Sequence, residues 1–274
     1  MATSPACLGT LLFAVTALTF AMGPVHLDAE GEALRAELAR CLGERLAREV
    51  VVVATPTYAE LALGMSAGNT ELAWMSPALF VRSESGGRIR LVAAVERSHG
   101  EGYRGVLFVP AESTVEKAED LAGARVAWVD RDSCAGHLFV RLALRQMGLE
   151  PSEFFGEERF VGSHGGAVRA VIQGEVDCAA THARTKPGTD EVMFAAYHPY
   201  ARQRAMRPIV VSPAIPPDVI CASAQLDPDA LDDIRQVLLH LHETHGELVD
   251  EVFSGPRLVG ARTVDYDPVR VAMQ

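Results

Sequence analysis

The feature that most constrains the fold of this chain is a regular alternation of short apolar runs with amphipathic segments. Residues 32–47 place a leucine at every fourth position among charged residues, which is the spacing of a helix with one buried face. The apolar runs that follow have the length of strands: "EVVVVAT" (49–55), "TELAWMS" (70–76) and "IRLVAAVE" (89–96). This order predicts parallel βαβ units and therefore an α/β fold.

A second run of the same kind occupies the middle of the chain. "ARVAWVD" (124–130) has the pattern of a strand, and residues 133–148 that of a helix closed by a glycine. Two extended segments, near 104–110 and 206–213, flank this run. We therefore predict two α/β lobes with a ligand cleft between them and a hinge of two crossing strands. The predicted lobes are residues 8–105 plus 212–274, and residues 106–211.

Charge and composition exclude several classes of function. The net charge is −11 and no Lys/Arg cluster occurs, which argues against a nucleic-acid partner. No uninterrupted apolar stretch is long enough to span a membrane. The five cysteines are odd in number and follow no zinc or redox spacing, so reduced thiols in a cytosol are the simpler interpretation. "HLHETH" (240–245) does not have metal-site spacing, and we predict neither a metal nor a cofactor.

The segment "LLFAVTALTFAMG" (11–23) allows two interpretations. It resembles the apolar part of a secretory signal peptide, but the first basic residue of the chain is Arg35, so the positive region of a signal is missing. Threonines also interrupt the apolar run. The alternative is a buried strand over about residues 10–18, which we favour.

Several stretches together resemble one family. They are "ELAWMSP" (71–77), "GYRGVLFV" (102–109), "DLAGARVAWVDRDSCAGHLFVRLAL" (120–144), "FVGSHGGAVRAVIQGEVDCAATH" (160–182) and "SPAIPPD" (212–218). They resemble the phosphate-, phosphite- and phosphonate-binding proteins of ABC transporters, over about residues 10–245. The resemblance implies a type 2 periplasmic-binding fold. It also implies that residues 10–17 form the first strand, which leaves no export signal and makes a cytoplasmic location the expectation, with a periplasmic one as the alternative.

The stretch "DRDSCAGHLF" (130–139) is the first candidate for a binding site. It places a loop and a helix start after a strand, where free backbone N–H groups bind anions, although Ser133 could equally be a plain N-cap. Where the family has Ser-Thr-Ser-Gly, this chain has Ser133, Cys134, Ala135 and Gly136. Two hydroxyl donors are therefore replaced, so that a different ligand, or none, remains an alternative.

The resemblance implies further ligand contacts around the same cleft. Ser163 and His164 lie where the family places a histidine donor near the anion. Tyr58 and Tyr103 match aromatic positions of the cleft, and Ser76 ends a strand that faces it; ordinary core tyrosines are the alternative. The remaining candidates are Thr181, His182 and Asp218, the last as the partner of a cationic group on a ligand or simply as a turn residue.

Three functions follow from these observations. The first is non-catalytic binding of a small oxyanion (a phosphonate, phosphite or phosphate ester) for transport or sensing, with an ABC permease or a signalling protein as partner. The second is a cytoplasmic enzyme on the same scaffold, in which His164, His182 or Cys134 would carry the chemistry, because fold does not fix function. The third is a regulatory scaffold that has lost its ligand.

Overall fold

The structure, a computed structural model, describes residues 17–23, 28–97 and 102–274. These residues form two six-stranded mixed sheets with helices on their faces. Strands that precede residue 96 or follow residue 218 build the first sheet, and strands between residues 102 and 211 build the second. The division of the chain into lobes of residues 8–105 plus 212–274 and 106–211 stays a prediction.

The first sheet has the strand order β12-β4-β11-β3-β1-β2. Its strands are β1 (Leu18–Met22), β2 (Val50–Ala54), β3 (Leu72–Met75), β4 (Ile89–Val95), β11 (Val219–Ser223) and β12 (Leu258–Val259). β1 pairs in parallel with β2 and β3, as the βαβ pattern predicts, whereas β11 runs antiparallel between β3 and β4. β3 and β11 are buried at every residue because helices cover both faces of this sheet.

Six helices accompany the first sheet. They are α1 (Ala29–Leu46), α2 (Tyr58–Ser66), α3 (Pro77–Glu84), α7 (Pro228–His240), α8 (His242–Phe253) and α9 (Asp267–Ala272). α1, α7 and α8 bury one face in a cluster around Phe20, Leu38 and Phe253, while α2, α3 and α9 cover the other face. The part of α8 beyond residue 245 lies where the sequence is only weakly patterned.

The second sheet has the strand order β10-β5-β8-β6-β7, with β9 paired to the far end of β8. Its strands are β5 (Gly102–Pro110), β6 (Arg125–Trp128), β7 (Glu157–Phe160), β8 (Cys178–Thr185), β9 (Val192–Ala195) and β10 (Met206–Val211). A π-helical turn (Cys134–Leu138) leads directly into α4 (Phe139–Gln146); α5 (Pro151–Phe154) and α6 (His164–Ile172) complete this half. The predicted crossing segments are thus β5 and β10, which pair with each other in this sheet.

One prediction about the first strand is wrong. The strand that pairs with β2 is Leu18–Met22, where Leu18 pairs with Val50 and Met22 with Ala54, and not the predicted 10–17. Residues 10–16 lie outside the described residues. The expectation of a cytoplasmic location loses the part of its argument that depended on the earlier register.

Two further features concern the environment of the chain. No helix within the described ranges is both long and apolar enough to cross a bilayer. The cysteines that the structure describes, Cys41, Cys134, Cys178 and Cys221, are free and buried.

Candidate functional site

A cavity of about 920 Å³ is lined by residues from both sheets and their helices. Ser76 at the end of β3 and Asp218 before β11 come from the first half of the fold. Asp130 after β6 and His182 on β8 come from the second. Strand ends from both sheets therefore meet at this cavity, and α/β sheets commonly bind ligands at the ends of their strands.

Four helical segments begin at this cavity. Their N-cap residues are Thr57, Ser76, Ser133 and Ser163, and all four line it. Each side-chain oxygen accepts a hydrogen bond from the backbone N–H three residues further on. The other N–H groups of each first turn have no partner within the helix, and the helix dipoles add partial positive charge. Hydrogen-bond donors and a positive electrostatic potential are therefore present at the cavity wall, and neither comes from lysine side chains.

The turn at Ser133 forms the part of the cavity that the sequence singled out. The Ser133 hydroxyl accepts from the Gly136 N–H at 3.0 Å, which leaves its own proton available for a ligand. Burial raises the pKa of the Cys134 thiol to about 12, so this group is a neutral, weak donor. Gly136 does not line the cavity; a Cβ there would lie 2.3 Å from Cγ2 of Val129, so the glycine permits packing.

Two histidines lie together in the cavity wall. His164 begins α6 and His182 is on β8, and their ring centroids are 4.6 Å apart at an angle of 82°. Nδ1 of His164 lies 2.9 Å from the hydroxyl of Thr181, which is buried and does not line the cavity. Burial lowers the pKa of His164 to about 3 and that of His182 to about 4. Both rings are therefore neutral at pH 7 when the cavity is empty.

An ion pair lies at the side of the cavity formed by the first sheet. Val219 of β11 pairs with Ala94 of β4, and this register brings the preceding Asp218 beside Arg97. Nη2 of Arg97 is 3.2 Å from Oδ2 of Asp218, and the guanidinium lies 4.5 Å from the centroid of the Tyr103 ring. Burial raises the pKa of the Asp218 carboxyl and Arg97 opposes that shift. Asp218 thus already has a cationic partner within the protein.

Aromatic side chains supply the rest of the wall. Burial, aided by the charge of Asp218, raises the pKa of Tyr58 and of Tyr103, so both phenols keep their protons. Trp74 also lines the cavity, and it is 8% exposed. Within the described residues, neither the indole Nε1–H of Trp74 nor the Nε–H of Arg97 has a hydrogen-bond partner.

The structure brings most of the predicted site residues to one place. Ten of the twelve line the cavity: Tyr58, Ser76, Tyr103, Ser133, Cys134, Ala135, Ser163, His164, His182 and Asp218. The other two, Gly136 and Thr181, support the wall from behind. That any of them contacts a ligand stays a prediction. Among the described residues, no group of three side chains suited to a metal ion occurs.

Some lining residues were missed by the sequence analysis. They include Arg97, Arg184, Phe194, Asp130 and Asp132. Arg97 lies two residues after the end of β4, and its position just beyond a predicted strand was the available signal. Arg184 lies on β8. Phe194 lies on β9, which the sequence analysis did not predict. Asp130 accepts a hydrogen bond from the Asp132 N–H, and Asp132 pairs with Arg82 of α3.

Comparison with known proteins gives the context for this geometry. A family model described as "ABC transporter, phosphonate, periplasmic substrate-binding protein" matches residues 20–266. The phosphate-import protein PhnD of Mycolicibacterium smegmatis is 28% identical over 173 residues, which is 58% of this chain and 53% of that protein. The match thus spans about half the length of that relative.

Solved structures match over nearly the whole chain. XAC2383 from Xanthomonas citri bound to ATP has a TM-score of 0.75 at 15% identity, covering 94% of this chain and 95% of that one. PhnD1 from Prochlorococcus marinus in complex with methylphosphonate has a TM-score of 0.75 at 16% identity, with coverages of 93% and 96%. At such identities the likeness shows the fold alone, and it confirms the predicted periplasmic-binding architecture.

Proposed function

We propose that this chain, which belongs to the family of periplasmic substrate-binding proteins of phosphonate ABC transporters, binds a phosphonate- or phosphate-type oxyanion in this cavity. The sequence resemblance predicted this family. The observation that carries the proposal is the convergence of four helix N-termini on one cavity. Backbone N–H groups at such termini are a general anion site. The indole N–H of Trp74, which has no partner among the residues that the structure describes, supports it as a further donor.

We assign the residues complementary parts in binding. The backbone around Cys134 and Ala135, with the Ser133 and Ser163 hydroxyls, would hold the anion. His164, oriented by Thr181, would donate a further hydrogen bond, as would the protonated phenol of Tyr58. Ser76 would add the terminus of α3, and Tyr103 with His182 would shape the space beyond the anion.

We propose that binding involves no chemical change of the ligand. The Cys134 thiol is held protonated, and the partner of His164 is a threonine hydroxyl and not a carboxylate that would stabilise an imidazolium. Neither histidine has the pKa near 7 that suits a general base. We further propose a periplasmic location and an ABC permease as partner, by analogy with the family and not from any feature of the described residues.

The size of the cavity favours a second candidate within the same ligand class. At about 920 Å³ it lies near the upper end of the range for small-molecule sites, which is roughly 300–1,000 Å³. Trp74, Tyr103 and Phe194 give it aromatic surface beyond the four helix termini. A phosphoryl compound with a larger apolar or aromatic substituent would use this space, and a structure of similar fold contains ATP.

Calorimetric titration with methylphosphonate, phosphate, sulfate and ATP tests the proposal. The key variant is Ser133→Asp, because aspartate is an equally good N-cap but places a negative charge beside the anion. We expect a fall in affinity of roughly 100-fold with an almost unchanged melting temperature. Ser152→Asp, which adds the same charge at an exposed helix start, is the matched control.

Two results would contradict the proposal. One is the absence of heat and of thermal stabilisation with all four anions at millimolar concentration. The other is equal binding by the wild type and the Ser133→Asp variant. ³¹P NMR of the released ligand tests the absence of chemistry, since a new resonance would reveal turnover.

A further inference from the structure

We infer that Arg97 occupies the place beside Asp218 that the ammonium group of an aminoalkylphosphonate would take, so that the site selects ligands whose substituent carries no cation. The inference rests on the proposed function and specifies the substrate class of the same cavity. It makes Arg97 a specificity-determining residue.

The charge of Asp218 is the starting point. This carboxylate lines the cavity and is only partly accessible, and a carboxylate in such a position requires a positive partner. Either the ligand or the protein can supply that partner. Here the protein does, because the β4–β11 register brings Arg97 to 3.2 Å from Asp218.

The guanidinium of Arg97 also covers an aromatic ring, which is the other kind of group that would attract a ligand cation. It lies over the ring of Tyr103 at 4.5 Å, within the range of a cation–π contact. Arg184 lines the same cavity, with its guanidinium 5.1 Å from the centroid of the Phe194 ring. A ligand ammonium approaching Asp218 would therefore meet the guanidinium of Arg97, which already contacts both the Asp218 carboxylate and the Tyr103 ring.

The remaining carboxylates of the wall lie elsewhere. Asp132 forms an ion pair with Arg82. Asp130 is on the loop that leads into the anion-binding turn, and its Oδ1 accepts the Asp132 N–H at 2.9 Å. If the turn at Ser133 holds the phosphonate group, as proposed, Asp130 would lie nearer to that group than to the substituent.

A pair of ligands that differ by one ammonium group tests the inference. Calorimetry compares ethylphosphonate with 2-aminoethylphosphonate on the full-length wild type and on Arg97→Met. We expect the wild type to prefer ethylphosphonate by about tenfold or more, because like charges would be brought together. In Arg97→Met the preference should reverse, since Asp218 is then left for the ligand ammonium.

Two further variants keep the result interpretable. Arg97→Met with Asp218→Asn removes both charges, so a correctly folded site should bind the two ligands about equally. Arg125→Met breaks an exposed Arg–Asp pair outside the cavity and should retain the wild-type preference. Thermal melting of each variant reports whether it has folded.

The outcomes separate the inference from the proposed function. Binding of ethylphosphonate with equal or tighter binding of 2-aminoethylphosphonate by the wild type would overturn the inference and leave the proposed function intact. An unchanged ligand ratio in Arg97→Met would do the same. Binding of neither phosphonate to a wild type that still binds phosphate or ATP would overturn the inference alone, and binding of none of the tested anions would contradict both.

Discussion

At the scale of single residues, the most informative side chain is Trp74. It is 8% exposed, packs edge-on against Phe253 with ring centroids 5.3 Å apart, and lines the cavity with an indole N–H that lacks a partner in the described part of the chain. A buried donor without a partner costs stability in the empty protein. A ligand oxygen would remove that cost on binding.

We therefore predict that Trp74→Phe weakens ligand binding without lowering the stability of the empty protein by more than a small packing loss. Loss of one hydrogen bond to a charged ligand, about 1.5–3 kcal/mol, corresponds to roughly a 10- to 150-fold lower affinity. Calorimetry with methylphosphonate and thermal melting without ligand measure the two effects.

Trp128→Phe provides the opposite case. In the wild type, the indole N–H of Trp128 already has a partner, because it donates a hydrogen bond to Glu158 at 2.6 Å. The side chain is fully buried. This variant should melt at a lower temperature yet bind the ligand as the wild type does. If Trp74→Phe instead lost stability and kept its affinity, Trp74 would be a core residue only.

Residues of this cavity differ in how well a sequence can reveal them. Ser133, Ser163 and Ser76 each stand between a strand and a helix, and that local pattern alone indicates a helix start near a strand end. Arg97 and Asp218 are 121 positions apart, and only the pairing of β4 with β11 brings them together. No local pattern contains that register, so the sequence predicted Asp218 but not its partner.

At the scale of elements, the first strand shows why boundaries are harder to predict than elements. The run 11–23 is almost uniformly apolar, so the sequence favours a strand without selecting its five residues. The choice depends on partners on both sides. In the fold, Phe20 lies between Val52 and Leu72, which fixes β1 at Leu18–Met22.

The contact between His164 of α6 and His182 of β8 leads us to predict how the stability of the fold depends on pH. His164 and His182 have folded-state pKa values of about 3 and about 4, below the unfolded value near 6.5. Below pH 6.5 the unfolded chain therefore binds more protons than the folded chain does. The contribution of the two histidines to stability is complete above pH 6.5 and is lost as the pH falls toward 3. For each ring the loss is at most about 1.4 kcal/mol per pH unit.

Denaturant unfolding at pH 7.5, 6.0 and 5.0 measures this contribution. Wild type should lose stability between pH 6.5 and 5 more steeply than His164→Gln, which has one titrating ring fewer. Half-buried His137, whose pKa is about 4, and Asp218, whose raised pKa acts in the opposite direction, are common to both proteins. Parallel pH profiles would show that His164 is not held neutral. His240→Gln, on an exposed helix face, is the control.

At the scale of the whole molecule, net charge and ligand charge have the same sign. A chain of net charge −11 binds an anion only if local groups dominate the field in the cavity. The four helix termini provide such groups on both sides of the cavity. The sequence alone indicated one of these termini in detail, whereas the meeting of four is a property of the two sheets together.

The last prediction concerns how the two halves of the fold are held around the cavity. Arg82 of α3, on the first sheet, pairs with Asp132 on the loop after β6, in the second. The pair is largely exposed, so we expect it to favour the arrangement seen here by about 0.2–1 kcal/mol and to weaken in high salt. If this pair helps to close the cavity, Arg82→Ala and Asp132→Ala should each reduce the affinity for methylphosphonate by about 1.5- to fivefold at low salt.

A simple effect of charge predicts something different for Asp132. Removal of a carboxylate beside an anion site should tighten binding, so a field effect alone would give the two variants changes of opposite sign. Calorimetry of both single variants, of the double variant and of the exchanged pair Arg82→Asp with Asp132→Arg distinguishes the cases. Weaker binding in both single variants, no further loss in the double variant and recovery in the exchanged pair would identify a contact that closes the cavity. Tighter binding by Asp132→Ala would show that the halves meet around the ligand without help from this ion pair.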